Sequence, residues 1–173
     1  MRLYRRLVPK ISKDIVRGLL AESLIDIEDG HRDEAELDVA GVLVDYLNVE
    51  EKLVNDARDE MDRRKLPQEK YGLVKRALAE QRKIKIGDET LDFILDKVVE
   101  SLFNSKHISE VFAEDHDIRR KTRDVLGKYS GVDEELDREA RGRLRNLREG
   151  TPEWDIEYQK TIKQLRTLKG FER

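Results

Sequence analysis

Cysteine is absent from the 173 residues, and with it go disulfide frameworks, thiolate zinc sites, iron–sulfur clusters and cysteine nucleophiles. Proline occurs only three times, at 9, 67 and 152, and each is followed by an amphipathic stretch. That suits proline in the first helical turn, where its missing N–H costs nothing. Aromatic residues are 6% of the chain, with a single tryptophan, so stacking surfaces for bases or cofactors are scarce. Neither charge sign dominates: 35 basic and 38 acidic residues leave −3, too little to draw the whole molecule to nucleic acid or an anionic membrane. No apolar run is long enough to cross a bilayer, the longest being Val39 to Val44. The N-terminus has basic residues but no apolar stretch behind them, so no secretory signal is expected. The expected compartment is the cytoplasm.

What is there is charge and helical period. Charged residues make up 42% of the chain, well above the roughly 25% of an average soluble domain. After Pro9, the positions Ile11, Ile15, Val16, Leu19 and Leu20 mark one buried helix face, and Leu91, Ile94, Leu95, Val98, Val99 and Leu102 repeat it after Asp88, a good N-cap residue. Helices are predicted near 9–22, 33–47, 49–64, 68–82, 88–105, 115–129, 132–148 and 152–168. Asn48-Val49-Glu50-Glu51 reads as a capping box and Ser130-Gly131 favours an interruption, so breaks are placed at 48 and 131, with a continuous, kinked long helix as the alternative at both points. Ile25-Asp26-Ile27 and Ile84-Lys85-Ile86 alternate, too briefly for a sheet of any size.

Sliding the sequence by 83 residues gives 12 identities in the 48 pairs of 11–58 against 94–141, where about three would arise by chance. They are Ile11/Ile94, Val16/Val99, Leu19/Leu102, Ile25/Ile108, Val42/Val125, Leu43/Leu126, Tyr46/Tyr129, Val49/Val132, Glu51/Glu134, Leu53/Leu136, Ala57/Ala140 and Arg58/Arg141. Mostly apolar, they describe a packing scheme and no catalytic set. The fold expectation is therefore all-α: two related helical units at an offset of 83, in a bundle or an elongated helical arrangement. Residues 1–66 form unit 1, 67–87 a connecting helix and linker, 88–148 unit 2, and 149–173 a closing helix.

The stretches VFAEDHDIRRK at 111–121 and EGTPEWDIEYQ at 149–159, with the opening MRLYRRLVPKISKDIV, EAELDV at 34–39 and LKG at 168–170, resemble the bacterial domain-of-unknown-function family 507 in its longer form. The resemblance spans nearly the whole chain. It implies a bacterial, cytoplasmic protein, and shorter members resembling one unit support the duplication; it supplies no activity, cofactor or site residue. By their chemistry the two stretches are architectural. Thr151-Pro152-Glu153 is a helix start, from which Trp154, Tyr158, Ile162 and Leu165 share a face; Trp154 and Tyr158 are candidate docking anchors. Val111 and Phe112 are expected to act as a hydrophobic staple before the acids that open the next helix.

Constellations for chemistry are thin. His31, His107 and His116 form no HExxH pair, and no GxSxG, GxGxxG or GxxxxGK motif occurs. His116 among Glu114, Asp115 and Asp117 offers only a weak metal reading, that of a metal-dependent hydrolase. No catalytic, cofactor-binding or metal residue is assigned, and no cofactor is expected. Charge is segregated instead: residues 1–17 hold six basic side chains, Arg2 included, against Asp14, whereas 22–62 hold fifteen acids against Arg32, Lys52 and Arg58. Arg138, Arg141, Arg145 and Arg148 recur along one side of the predicted helix 132–148, a candidate surface for an anionic partner. The leading expectation is a non-enzymatic helical interaction or scaffold protein with a protein partner or a second copy of itself. The alternative is an RNA- or ribosome-associated factor using those arginines.

Overall fold

The computed structural model describes residues 3–149 and 151–169. The architecture is predominantly α-helical with one two-stranded sheet. Unit 1 comprises Met1–Leu126 and unit 2 Gly127–Arg173. Arg2, Gly150 and Gly170, used in the sequence readings above, lie outside the described residues.

In unit 1, α1 (Val8–Ala21) buries Ile11, Ile15, Val16 and Leu19 completely, the face its spacing demands. Strand β1 (Ile25–Ile27) follows, then α2 (Arg32–Arg63). A turn of 3-10 helix at Gln68–Lys70 leads into α3 (Tyr71–Gln81), and α4 (Glu89–Asn104) leads to β2 (Ile108–Val111) and α5 (Asp115–Ser130). Helix α2 is the spine: α1, α3 and α4 all pack on it. The strands pair antiparallel, Ile25 opposite Val111 and Ile27 opposite Ile108, with an irregularity after Asp26. The boundary between the units falls within α5. Unit 2 continues with α6 (Val132–Arg143) and α7 (Pro152–Leu168).

Several sequence expectations need correction. Helix α2 does not break at 48. Its buried positions Val39, Leu43, Tyr46, Leu53, Ala57 and Met61 stay in helical phase through Asn48, so burial on one continuous face outweighs a local capping preference. The capping box does not form, because Arg5 donates to Asn48 Oδ1 at 2.8 Å and to Glu51 Oε2 at 3.4 Å. Asp88 occupies the N-cap position of α4 but makes no side-chain cap bond. Phe112 is 60% exposed and staples nothing. The interruption at 131 is there, as a single residue between α5 and α6.

Three helices of unit 1 end in the same way without glycine. Ser23, Lys65 and Lys83 adopt left-handed φ of 54°, 51° and 55°. Just beyond them the N–H groups of Leu24, Leu66 and Ile84 donate to the carbonyls of Leu19, Met61 and Ala79 at 3.0, 3.0 and 2.8 Å. This is the Schellman arrangement, and it places an apolar residue back over the last turn. A left-handed conformation strains a residue with a Cβ. Lys65→Gly is therefore expected to stabilise the chain by about 0.5–1 kcal/mol. Urea midpoints at unchanged slope read this directly, and a lower midpoint for the variant would contradict it.

Glycine has a packing reason at Gly18. A Cβ there would meet Lys121 Cε at 2.8 Å, because the lysine stem crosses α1 to reach Glu22 at 2.5 Å. That ion pair holds the Glu22 carboxyl below its ordinary pKa, chiefly through the hydrogen bond from Lys121. On the other side of α5, Arg119 binds Asp92 and Asp96 of α4, and Arg123 binds Asp92. Arg120 pairs with Asp117 in the first turn of its own helix at 3.2 Å.

Candidate functional site

An apolar concavity on unit 1 lies along α2. Val42, Tyr46 and Val49 stand at i, i+4 and i+7, so they line one edge of that helix. Phe93 of α4 and Ile84 of the connection between α3 and α4 line it as well, and the groove holds about 340 Å³. Its floor is set by Tyr46, which is 5% exposed. The phenol shares a hydrogen bond with Thr90 Oγ1 at 3.0 Å and the ring tilts against Phe93 with centroids 6.2 Å apart. Burial pushes the Tyr46 pKa up, against the hydrogen bond it shares with Thr90. That hydrogen bond ties α2 to the first turn of α4.

Charge gathers at the rim. Lys83, Lys85, Lys97 and Asp45 surround the apolar floor. Lys85 reaches Glu89 and Lys97 reaches Glu100, both at 2.6 Å and both exposed. Lys83 has no carboxylate partner among the described residues. Val49 is 42% exposed, so the apolar floor is open to a partner.

Unit 2 gathers the residues singled out from the sequence. Thr151 caps α7, accepting from the Trp154 N–H at 3.3 Å with Pro152 in the first turn, as its sequence demands. The rings of Trp154 and Tyr158 stack 4.8 Å apart. The Arg141 guanidinium lies over both, at 5.5 and 5.9 Å from their centroids. Trp154 is only 8% exposed, and Tyr158 packs on the cluster of Leu136, Ala140, Ile162 and Leu165. Both anchors therefore serve the junction of α6 with α7 inside unit 2.

The arginine stripe does not survive as one helix face. Helix α6 ends at Arg143, which leaves Arg145 and Arg148 in the following loop. Leu144 closes the helix by donating to the carbonyls of Ala140 and Arg141, and the next turn is made by Leu147. Arg141 is bound to Asp137 and to Glu149. Arg138 stays exposed on α6.

Asp137 accepts from Tyr158 Oη at 2.6 Å. That bond, opposed by burial and reinforced by Arg141, holds the Asp137 carboxyl below its ordinary value of 3.8. A depressed carboxyl contributes stability that is present above the unfolded pKa and lost as pH falls through the folded one. Acidification from about pH 5 to about pH 3 is expected to lower the unfolding midpoint of unit 2, followed by Trp154 fluorescence. Asp137→Asn should flatten that dependence; an equally steep slope would show that other carboxylates carry it.

His116 is 71% exposed and lies 3.4 Å from Glu114 and 3.5 Å from Asp117. No group of three metal-ligating side chains is assembled among the described residues. Sequence reasoning missed the groove. Val42, Tyr46 and Val49 stood out as repeat identities and Ile84-Lys85-Ile86 as an alternating stretch, but nothing in the chain said that Phe93 would come to meet them.

Fold and surface together define a helical protein whose aromatic residues mostly serve its own packing. The chain belongs to the family described as Protein of unknown function (DUF507), which matches residues 1–171. No curated protein matches the chain significantly. Among the described residues, no helix is long and apolar enough to cross a membrane.

Proposed function

We propose that this chain is a non-enzymatic helical interaction protein of the cytoplasm, with unit 1 supplying the binding surface. The observation that carries this reading is the apolar groove along α2, open at Val49 and unfilled by the chain's own side chains. Leu37, Leu73, Phe103 and Phe112 add large apolar side chains that are more than half exposed on the same unit.

The proposal includes internal duplication. A shift of 83 residues carries α1 onto α4, β1 onto β2 and the two halves of α2 onto α5 and α6. Ile11 and Ile94, Leu43 and Leu126, and Ala57 and Ala140 are each fully buried in both copies. Equivalent strands pair antiparallel, as a two-fold relation requires.

RNA or ribosome association through Arg138, Arg141, Arg145 and Arg148 has weaker support, because Arg141 is held by two carboxylates and the four no longer share a helix face. The interaction reading is tested by placing a photo-crosslinking residue in turn at Leu37, Val49, Leu73, Phe103 and Phe112 of the full chain in cells. A discrete protein adduct at one or more of these positions is expected. Absence of an adduct at all five would overturn the proposal.

A further inference from the structure

We infer that Gly127–Gly131 is a hinge, about which the α6–α7 hairpin turns as a body while the rest of α5 stays packed in unit 1. The groove plays no part in it.

The long helix α2 supplies the contrast. At the offset of 83, Leu43, Tyr46 and Val49 match Leu126, Tyr129 and Val132 across the junction of α5 with α6. Between those shared residues, Gly127 and Gly131 stand opposite Val44 and Asn48. Helix α2 runs unbroken through its pair, whereas Gly131 separates α5 from α6. Asn48 is also held from outside its helix by Arg5, and Gly131 has no side chain to be held.

Neither glycine is required by packing or by backbone geometry. A Cβ at either position would meet nothing within 4 Å. Gly127 lies inside α5, and Gly131 keeps right-handed angles, φ −84° and ψ −5°. Glycine in such a setting weakens a helix relative to alanine, because it leaves the backbone free. Gly41 of α2 has equal space around it but stands alone in an unbroken helix. Gly127 and Gly131 lie about one turn apart at an interruption. Ser130 weakens the junction further: its hydroxyl donates to the Gly127 carbonyl at 3.1 Å, a back-bond of the kind that bends helices. The Gly131 carbonyl accepts from the Glu135 N–H at 3.1 Å, so α6 starts again without a side-chain cap.

Both sides of the junction are anchored. Leu126 has no exposed surface, and Leu136 and Ala140 are buried in the apolar cluster of unit 2. At the junction itself Gly127, Lys128 and Gly131 are exposed, and Tyr129 and Ser130 are half-buried. The division between the units falls at the same place, after Leu126. Two cores joined by a few residues that can absorb backbone change make a hinge.

The chain lacks cysteine, so spin labels can be placed by paired cysteine substitutions in the full chain. Distance distributions from electron–electron dipolar coupling are compared for three pairs. Lys13→Cys with Lys163→Cys spans the hinge, Lys13→Cys with Lys52→Cys lies within unit 1, and Arg138→Cys with Lys163→Cys lies within unit 2. All four positions are exposed. The spanning distribution is expected to be at least about twice as wide as either internal one. Gly127→Ala combined with Gly131→Ala should narrow it to the internal width, and Gly131→Ala alone should narrow it in part. The double variant should also slow amide exchange at 128–132 about tenfold, with helical circular dichroism no lower than the parent's. A spanning distribution in the parent as narrow as the internal ones would overturn the hinge without recourse to any variant. A wide distribution that both alanine variants leave unchanged, or unchanged exchange, would overturn its assignment to these glycines.

Discussion

Replacing Trp154 with alanine is expected to unfold unit 2 while unit 1 keeps its structure. Unit 2 has little to spare: its apolar cluster is Leu136, Ala140, Ile162 and Leu165 with Tyr158 against it. Trp154→Ala removes the stacked ring partner of Tyr158 and the surface on which Arg141 lies. Loss of a buried aromatic costs about 3–5 kcal/mol, comparable to all that a core of such size supplies. Hydrogen exchange read by mass spectrometry should show peptides of α6 and α7 losing protection and those of α1 to α4 retaining it. Protection kept throughout, or lost equally in both units, would contradict the prediction. In the parent protein the same asymmetry should make Trp154 fluorescence report an earlier thermal transition than far-ultraviolet circular dichroism, which sums over all helices.

The second large effect is expected at the centre of the spine. Leu43 has no exposed surface and lies on the buried face of α2, the helix on which α1 and α4 pack. Leu43→Ala keeps helix propensity, so its cost is transfer plus cavity, about 2–5 kcal/mol. Leu37, six residues earlier on the same helix, is 68% exposed, and Leu37→Ala should change stability by no more than about 0.5 kcal/mol. Urea denaturation of the two variants separates them. Similar midpoints would mean that the face assignment of α2 is wrong.

That pair of leucines shows how far sequence alone reaches. The spacing of Leu43, Tyr46 and Leu53 marks an inner face, and the offset of 83 pairs Leu43 with Leu126, also fully buried. Leu37 sits off that face, among acids, and is exposed as the pattern implies. The same logic placed α1, α4 and the start of α7, where Thr151, Pro152 and the aromatic face agree with one another. It went wrong where local chemistry and tertiary burial disagreed. Asn48 looks like a cap, but its side chain is taken by Arg5 while the apolar seam runs on beneath it. Arg145 and Arg148 fit a helical stripe by spacing, but α6 stops before them.

The groove was hidden for a related reason. A stripe such as Val42, Tyr46 and Val49 reads as core in any helix, because sequence cannot say whether a neighbour covers it. Coverage depends on where α4 and the connection before it come to rest, and on Ile84 being placed by a helix cap at Lys83 that lacks the usual glycine.

By itself, then, the chain determined its helical class and its inner faces, since periodicity and burial are local consequences of side-chain spacing. Tertiary structure decided which ends meet, which carboxylate claims which arginine, and where an apolar edge stays open. Those outcomes arise between segments far apart in sequence, where no spacing rule operates.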